Sequence, residues 1–483
     1  MIAQATQQKY ETVIGLEVHL QLDTATKIFC GCANKFGEDP NTLTCPVCLG
    51  LPGSLPVVNE KALEYAMKVG LALNCTINPF VKFDRKNYFY PDCPKAYQIS
   101  QFDLPICSHG YLMIELPDGT SKKVRINRAH LEEDAGKLIH DDAHNCSLVD
   151  YNRTGTPLME IVTEPDLRSA EEAYCYLQNL KLTLSYLNVS DCDMEKGSLR
   201  CDANISIRPV GETKLGTKTE IKNMNSFKAV KAGLEHEIGR HETVLKAGQD
   251  IIQETRLWDE ARSMTFTMRS KEEAHDYRYF PEPDLVPFMM EEASIENIKR
   301  SIPELPAKKR ARLIEQYKLA YYDANILIQD PDLATFFEQC TGHCKDTKKI
   351  CNWINGPLMK ELNTRKASLA EINLDPKDLA ILIKRIDEGI LSNLAGKDVL
   401  TFMIDTGRSV DTIIEEKGLV QVSDSSTLEN IVKDIIREHK DIAEQIRGGK
   451  NSAVGFLVGV AMRKTQGKAN PKKIGDIIKK TLS

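Results

Sequence analysis

Two polar residues interrupt an apolar segment near the start of the chain. In Ile14–Leu22, which reads IGLEVHLQL, apolar and polar residues alternate strictly, and this pattern predicts a half-buried β-strand. Glu17 and His19 lie two residues apart, so their side chains project from the same face of the strand. A carboxylate and an imidazole on one face can either meet solvent or help to bind a cation, and this segment alone does not decide between the two.

Three further segments carry more hydrogen-bonding side chains than a packed core requires. They read AHLEEDAGK, PLMEIV and LRCDANISIR. Mg²⁺ prefers oxygen ligands, and Arg or Lys can neutralise charge on a transferred phosphoryl group. Any one of these acids could be a solvent-exposed side chain without a function, but several strands that present them together favour a magnesium–phosphate site. The candidate residues in these segments are Glu132, Glu133, Glu160, Arg200 and Asp202.

The sequence contains no common glycine-rich phosphate-binding loop. No G-x-x-x-x-G-K-[ST] occurs, and no G-x-G-x-x-G follows a predicted strand. Any nucleotide chemistry must therefore use a sheet-based site. Residues 84–92 and 276–284 interleave basic and aromatic side chains, which could stack a base and hold a phosphate or could be packed loop corners.

Four cysteines have the spacing of a metal site. Cys30 and Cys32 form a C-x-C pair, and Cys45 and Cys48 form a C-x-x-C pair after twelve intervening residues. Two such pairs can supply four thiolates to one zinc ion, which would fill its coordination sphere and leave it a structural role. The alternative interpretation is four free thiols.

Length and composition limit the number of domains, the class of protein and its compartment. A chain of 483 residues predicts two to four domains, and 42% apolar residues with a net charge of −6 are ordinary for a globular protein. The sequence has no apolar stretch of bilayer length and no visible leader segment, and its 14 cysteines then favour a reducing compartment, so we expect a cytoplasmic protein with no membrane contact.

The pattern along the chain changes near residues 302–306. Before that point short strands alternate with helices, two of which are predicted over residues 60–73 and from Ser169 onward. After it, helical periodicity dominates, with a second boundary expected near residues 406–409. Residues 447–483 contain nine Lys or Arg against one Asp, which indicates either contact with a polyanion such as RNA or a solvated face.

Taken together, these motifs resemble one family, the B subunits of tRNA-dependent aspartyl/glutamyl amidotransferases. The resemblance lies in GLEVHLQL, HLEEDAGK, VDYNRTGTPLMEIVTEPD, EKGSLRCDANISIRP and DYRYFPEPDLVP, and it continues into AVGFLVGVAMRKTQGKANP. It implies an α+β catalytic cradle domain of the glutamine synthetase and guanido kinase type over residues 1–295. An all-α helical domain over 296–408 and a small α-helical, tRNA-binding tail domain over 409–483 would follow.

The resemblance also implies a reaction. ATP would phosphorylate the side-chain carboxylate of misacylated Glu-tRNA(Gln) or Asp-tRNA(Asn), and ammonia would then displace the phosphate to form the amide. The sequence shows no amidase signature of its own. Ammonia would therefore come from the glutamine-hydrolysing A subunit of a complex that also contains a small C subunit.

Individual roles follow by motif. The resemblance implies that His19, Glu133 and Glu160 bind Mg²⁺ directly, and that Glu17, Glu132 and Asp202 act through water or hold a second ion. Lys86 and Arg200 would engage phosphate, and Lys95 would line the route of ammonia or of the acceptor end. The zinc ligands would be Cys30, Cys32, Cys45 and Cys48, and the tRNA contacts Arg463, Lys464, Lys468, Lys472 and Lys473.

Two other functions compete with this one. A stand-alone ligase resembling glutamine synthetase would have no use for the basic tail. A zinc-stabilised tRNA-binding scaffold without chemistry of its own would not need clustered carboxylates, because RNA phosphates call for cations.

Overall fold

The computed structural model describes residues 10–141, 143–270, 276–419, 425–447, 453–465 and 471–482. The chain forms two compact units, Met1–Leu305 and Pro306–Ser483. The boundary lies in the proline-containing segment where the sequence pattern becomes helical. None of the helices in the described ranges is long and apolar enough to cross a membrane.

The first unit is built around one large sheet. Its strands are β1 (Tyr10–Gln21), β2 (Thr76–Ile77), β3 (Phe80–Val81), β4 (Asp84–Asn87), β5 (Tyr97–Ser100), β6 (Cys107–Glu115), β7 (Ser121–Glu133), β8 (Lys137–Asp141), β9 (Cys146–Asp150), β10 (Pro157–Thr163), β11 (Leu199–Pro209), β12 (Thr219–Lys222), β13 (Glu254–Asp259), β14 (Met264–Ser270), β15 (Phe280–Pro281) and β16 (Phe288–Met289). Nine of them form the large sheet in the order β14–β13–β12–β11–β1–β10–β7–β6–β2. Strand β1 is therefore a central strand, antiparallel to β10 on one side and to β11 on the other.

Short strands form three small additional sheets. Strands β15, β4 and β5 pair in that order, β16 pairs with β3, and β8 forms a hairpin with β9. The pairing of β15 with β4 joins the two segments in which basic and aromatic residues are interleaved.

Helices cover the apolar face of the large sheet. The helices of this unit are α1 (Glu60–Ala72), α2 (Ala170–Leu187), α3 (Phe227–Lys246) and α4 (Glu292–Ser301). Asn59 and Ser169 cap the N-termini of α1 and α2, since their side chains accept hydrogen bonds from backbone N–H groups of the first turn. Leu16 and Val18 of β1 are buried in the same core as Tyr176 and Leu180 of α2.

The described residues of the second unit form helices joined by loops, without a β-strand. Its helices are α5 (Pro306–Tyr317), α6 (Tyr321–Leu327), α7 (Pro331–Thr341), α8 (Thr347–Trp353), α9 (Met359–Arg365), α10 (Pro376–Asp387), α11 (Asn393–Thr406), α12 (Val410–Lys417), α13 (Ser425–Glu438), α14 (Lys440–Arg447), α15 (Val454–Lys464) and α16 (Pro471–Leu482). Leu428, Leu457 and Ile474, from α13, α15 and α16, belong to one hydrophobic cluster. The predicted order of a mixed α/β part followed by a helical part is confirmed. The domain boundaries at 295/296 and 408/409 stay predictions.

Candidate active site and metal-binding groups

Strand register brings polar side chains from several strands to one face of the large sheet. His19 on β1 lies opposite Glu160 on β10 and opposite Arg200 on β11. Glu160 in turn lies opposite His130 on β7. Residues directly opposite one another on paired strands project to the same face. The polar face of β1 therefore continues across its neighbours.

Four of these side chains converge, and we call them the cation group: His19, His130, Glu132 and Glu160. Nε2 of His19 lies 3.9 Å from Oε1 of Glu132 and 3.7 Å from Oε2 of Glu160. Nε2 of His130 lies 3.8 Å from Oε2 of Glu132 and 3.5 Å from Oε2 of Glu160. One atom each of His19, Glu132 and Glu160 lies within 4.8 Å of the other two. Two carboxylates and an imidazole at this spacing fit a divalent cation.

Charges of both signs lie at the cation group. Burial by itself would raise the pKa of Glu132, but His130, Lys86 and His19 outweigh burial and lower it. Burial would lower the pKa of Lys86, but Glu132 and Glu160 raise it above its usual value. A buried carboxyl whose pKa is lowered, beside a lysine whose pKa is raised, is suited to a metal-bound anion such as a nucleotide phosphate.

A second acidic group lies beside the cation group, on β1, β11 and β12. Glu17 lies opposite Asp202. Burial raises the pKa of Glu17, and neighbouring carboxylates, Glu160 first among them, raise it further. Lys222 contacts Asp202, and its Nζ lies 3.2 Å from Oε1 of Glu220. Burial, together with the negative charge crowded on this face, thus disfavours ionisation of Glu17.

Arg200 lies on the same face and has an unused donor. Its Nη2 donates to Oδ2 of Asp134 over 2.8 Å, and Gln21 donates to the same oxygen over 2.8 Å. Its Nε is buried and has no hydrogen-bond partner among the described residues, and the same holds for Nδ1 of His130 and Oδ1 of Asn204. These three atoms are among nine buried side-chain atoms without a partner in the described part of the structure, and a bound polar ligand would supply the partners that they lack.

Glu133 does not join the cation group. Successive residues of a strand project to opposite faces, so Glu133 and Glu132 point away from each other. Oε1 of Glu133 accepts hydrogen bonds from Nζ of Lys95 and from the backbone N–H of Ile99, the latter over 2.8 Å. Gly50 packs closely on this lysine, since a Cβ at Gly50 would lie 2.4 Å from Cγ of Lys95. The structure therefore places two predicted site residues, Lys95 and Glu133, in a buried ion pair apart from His19 and Glu160.

The four cysteines of the predicted zinc site converge in the same unit. Their sulfur atoms all lie within 4.8 Å of one another. Zinc–sulfur bonds of about 2.3 Å in a tetrahedron would put the sulfurs about 3.8 Å apart, so the arrangement fits a tetrathiolate zinc site. A hydrogen bond with Cys30 and the nearby charge of Lys27 lower the pKa of Cys48 to about 5, although burial opposes them. A cavity of about 60 Å³ separates this site from the Lys95–Glu133 pair and is lined by residues of both.

Comparison with known proteins gives the same family along almost the whole chain. Residues 12–296 match the family model described as the GatB/GatE catalytic domain, and residues 335–482 match the GatB domain. The B subunit of the aspartyl/glutamyl-tRNA(Asn/Gln) amidotransferase of Thermoanaerobacter sp. (strain X514) is 54% identical over 475 residues, which cover 98% of this chain and 100% of that protein. The B subunit of the same enzyme from Carboxydothermus hydrogenoformans is 50% identical over 479 residues, 99% of each chain.

The chain belongs to the family of aspartyl/glutamyl-tRNA(Asn/Gln) amidotransferase B subunits. The family predicted from the motifs is thereby confirmed. Both the cation group and the cysteine site lie within the part that matches the GatB/GatE catalytic domain.

Sequence reasoning did not include His130 among the candidate site residues, although the structure places it in the cation group. The signal was present, because His130 and Glu132 are two residues apart on β7, as Glu17 and His19 are on β1. Lys222 was missed in the same way, although its contact with Asp202 places it beside a predicted ligand.

The predicted tRNA contacts lie in the second unit, within the part that matches the GatB domain. Arg463 and Lys464 on α15 and Lys473 on α16 are exposed, and Nζ of Lys464 lies 2.6 Å from Oε1 of Glu438. Lys468 lies outside the described residues. Lys472 falls within α16, but its side chain is outside the described part of the structure.

Proposed function

We propose that this chain catalyses the ATP-dependent amidation of misacylated tRNA, Glu-tRNA(Gln) or Asp-tRNA(Asn), as the B subunit of a glutamine-hydrolysing amidotransferase. The observation that carries the proposal is the convergence of His19, Glu132 and Glu160 near Lys86 on one face of a sheet. Clustered carboxylates would repel an RNA backbone but suit a nucleotide that arrives with Mg²⁺.

The reaction needs two steps because a carboxylate is a poor acyl electrophile. In the first step a side-chain carboxylate oxygen attacks the γ-phosphorus of ATP, the bond from that phosphorus to the β-γ bridging oxygen breaks, and an acyl phosphate and ADP form. In the second step ammonia attacks the acyl carbon, the carbon–oxygen bond to phosphate breaks, and the nitrogen loses a proton. The products are the amide and inorganic phosphate.

Different residues of the polar sheet face would bind the metal ion and the phosphate groups in this reaction. His19, Glu132 and Glu160 would hold Mg²⁺, which supplies charge neutralisation at phosphate oxygens when it is bound. Lys86 would bind the phosphate chain, because the neighbouring carboxylates keep its pKa raised. Arg200 would donate its unpaired Nε–H to the same anion. Glu17 and Asp202 would act through water or hold a second ion.

Lys95 and Glu133 would line the route of ammonia. They border the small cavity beside the cysteine site, on the face of the strand away from the cation group. A narrow, buried route would bring ammonia to the acyl phosphate while limiting the access of water, which would otherwise hydrolyse it. We propose that the ammonia comes from a partner amidase, the A subunit, in a complex that also contains a small C subunit.

The remaining parts of the chain would support and position this chemistry. We propose that residues 1–295 form a cradle of the glutamine synthetase type, that residues 296–408 form a helical domain, and that residues 409–483 bind the tRNA body. A structural zinc ion would occupy the four-cysteine site, where four thiolates leave no open position for a substrate. One zinc per chain is the expected result of elemental analysis.

The decisive experiment is amidation of each misacylated tRNA by the chain co-expressed with the A and C subunits. We expect Glu160→Gln to abolish ATP-dependent amide formation, while glutamine hydrolysis and tRNA binding persist. Glu242→Gln, on the exposed surface of α3, is the matched control and should leave all three activities unchanged. Near-normal amidation by Glu160→Gln would refute the metal assignment.

A further inference from the structure

Lys27 is a lysine whose side chain is completely buried. Its exposed fraction is 0%, a rare condition for lysine unless the charge is paired. Among the described residues no carboxylate forms an ion pair with its ammonium group, whose contacts are two carbonyl oxygens and a sulfur. A buried charge without a counter-charge is strongly unfavourable, so the partner of Lys27 has to be identified.

The contacts of Lys27 point to the cysteine site. Its Nζ lies 2.7 Å from the carbonyl oxygen of Leu43, 3.5 Å from that of Tyr151 and 3.8 Å from Sγ of Cys48. An ammonium has three donors, and these three atoms can accept one each. Carbonyl oxygens carry only partial charge, so the sulfur of Cys48 is the one contact that can bear a full negative charge. The backbone N–H of Cys45 donates to that same sulfur over 3.1 Å.

We infer that Lys27 is a positioning residue for the metal of the four-cysteine site, and this inference rests on the zinc site proposed above. A zinc ion with four thiolates carries a net charge of −2, which is costly to bury. The ammonium of Lys27 neutralises half of that charge and holds Cys48 in place. Conversely, the metal–thiolate group is the counter-charge that permits a lysine at this buried position.

The side chain of Lys27 joins the loop that contains the four cysteines, residues 30–48, to a second segment. Leu43 lies in that loop, two residues before Cys45, whereas Tyr151 precedes β10, the strand that carries Glu160. The backbone N–H of Ile28, next to Lys27, donates to the carbonyl oxygen of Gly155 over 2.9 Å. Lys27 therefore links the zinc ligands to the segment that enters the strand of a proposed magnesium ligand.

The first test measures zinc release in the purified complex with the A and C subunits. We compare the unmodified chain, Lys27→Met, and Lys61→Met, whose side chain is 49% exposed. Lys27→Met should release zinc to a chromogenic chelator at least about tenfold faster, as expected when a group that supports metal ligands is removed. Lys61→Met should release zinc at the rate of the unmodified chain. Equal release rates for all three proteins would overturn the inference.

The second test asks whether the change in Tm caused by Lys27→Met has the opposite sign when the four thiolates are absent. A change of sign distinguishes charge neutralisation from a purely structural role. Lys27→Met is introduced into the full chain and into a version in which Cys30, Cys32, Cys45 and Cys48 are all serine. With four cysteines and zinc, the substitution should lower the Tm. With four serines it should raise the Tm, because the lysine there has no counter-charge. A lysine that served only to bind Leu43 and Tyr151 would lower the Tm in both backgrounds.

The tests also separate this inference from the proposal beneath it. If the unmodified chain contains no zinc, the proposed zinc site fails. If it contains one zinc, and Lys27→Met either releases that zinc at the rate of the unmodified chain or lowers the Tm in both backgrounds, only the role of Lys27 fails. Should Lys27→Met not accumulate in the four-cysteine background, the four-serine pair still decides by the direction of its Tm change.

Discussion

His130 on β7 and Glu160 on β10 face each other across the sheet, with Nε2 and Oε2 3.5 Å apart. The same nitrogen lies 3.8 Å from Oε2 of Glu132, and the imidazole side chain is only 3% exposed. His130 thus contacts both carboxylates of the cation group, and β10, which carries Glu160, lies between its strand and the strand of His19. Nδ1 of the ring is buried without a partner among the described residues. This geometry suits a residue that holds Glu132 and Glu160 at the spacing a cation requires.

We expect His130→Ala to weaken Mg²⁺ binding more than it changes any other property of the enzyme. Without the imidazole, Glu132 and Glu160 would lose a contact that orients them, and loss of such support commonly costs about 10–100-fold in metal affinity. The Mg²⁺ concentration for half-maximal amidation should rise by about that factor, while the rate at saturating Mg²⁺ should fall less. Amidation assayed over a magnesium titration measures both.

A second histidine provides the control for this experiment. His140 on β8 is exposed, and its Nδ1 lies 2.9 Å from Oγ of Ser147. His140→Ala should leave the magnesium dependence unchanged. An equal shift in both variants, or no shift in His130→Ala, would contradict the role assigned to His130.

Local signals in the sequence were sufficient to predict several strands and helices of the fold. The alternation in residues 14–22 predicted β1, and a predicted helix over residues 60–73 corresponds to α1 at Glu60–Ala72. Ser169 was predicted to begin α2, and its side chain caps that helix. The order of the strands could not be predicted, because the pairing of β1 with β10 and β11 joins segments more than 130 residues apart and no local pattern specifies it.

The candidate site was predictable only in part for the same reason. The alternation placed Glu17 and His19 on one face, but which residues meet His19 depends on register with distant strands. The residue pattern made Glu160 a candidate and the family resemblance implied that it binds Mg²⁺; the register places it opposite His19. The resemblance implied the same role for Glu133, although adjacent residues of a strand cannot both reach one face. That parity rule would have favoured Glu132 and drawn attention to His130.

The Lys95–Glu133 pair leads to a prediction about stability. Their side chains are 7% and 5% exposed, so Lys95→Met would leave a buried carboxylate without its partner. We expect a loss of about 3–5 kcal/mol in the free energy of unfolding. The double variant Lys95→Met/Glu133→Gln should recover much of this loss, because it removes both charges.

Denaturant unfolding of the full-length chain measures these differences. Lys61 and Glu64 form a partly exposed pair on α1, and breaking that pair should cost less than about 1 kcal/mol. The double variant at Lys95 and Glu133 decides the case. If it is no more stable than Lys95→Met alone, loss of packing rather than an unpaired charge explains the effect.

The basic helices of the second unit lead to a prediction about salt dependence. Arg463 and Lys473 are exposed on α15 and α16. If each neutralises one phosphate, Arg463→Gln and Lys473→Gln should each weaken tRNA binding and reduce the slope of log K against log salt by about 1. Lys384→Gln on α10, where the side chain is 67% exposed, serves as the control. Slopes that all equal that of the unmodified chain would exclude these residues as tRNA contacts.

A buried carboxylate remote from the cation group gives the sharpest prediction about pH. Glu237 on α3 has a side chain that is 0% exposed, and Nη2 of Arg240 and Nε of Arg256 lie 2.7 Å and 3.2 Å from its oxygens. Burial would raise its pKa, but hydrogen bonds from His241, Arg240 and Thr265 outweigh burial and hold the pKa well below its usual value.

The sign of the pH dependence follows from that lowered pKa. A carboxylate with a lowered folded-state pKa stabilises the fold fully above its unfolded pKa of about 4.3, and this stabilisation is lost as the pH falls toward the folded value. Glu237→Gln should therefore cost about 1–3 kcal/mol near neutral pH, because Arg240 and Arg256 each lose one carboxylate partner and keep only Glu254 among the described residues. The difference in Tm between the two proteins should shrink as the pH falls below about 4. Glu242→Gln, on the exposed side of the same helix, should change the Tm little at any pH. A difference for Glu237→Gln that stayed constant down to that range would show that the shape of the side chain, rather than its charge, stabilises the fold at this position.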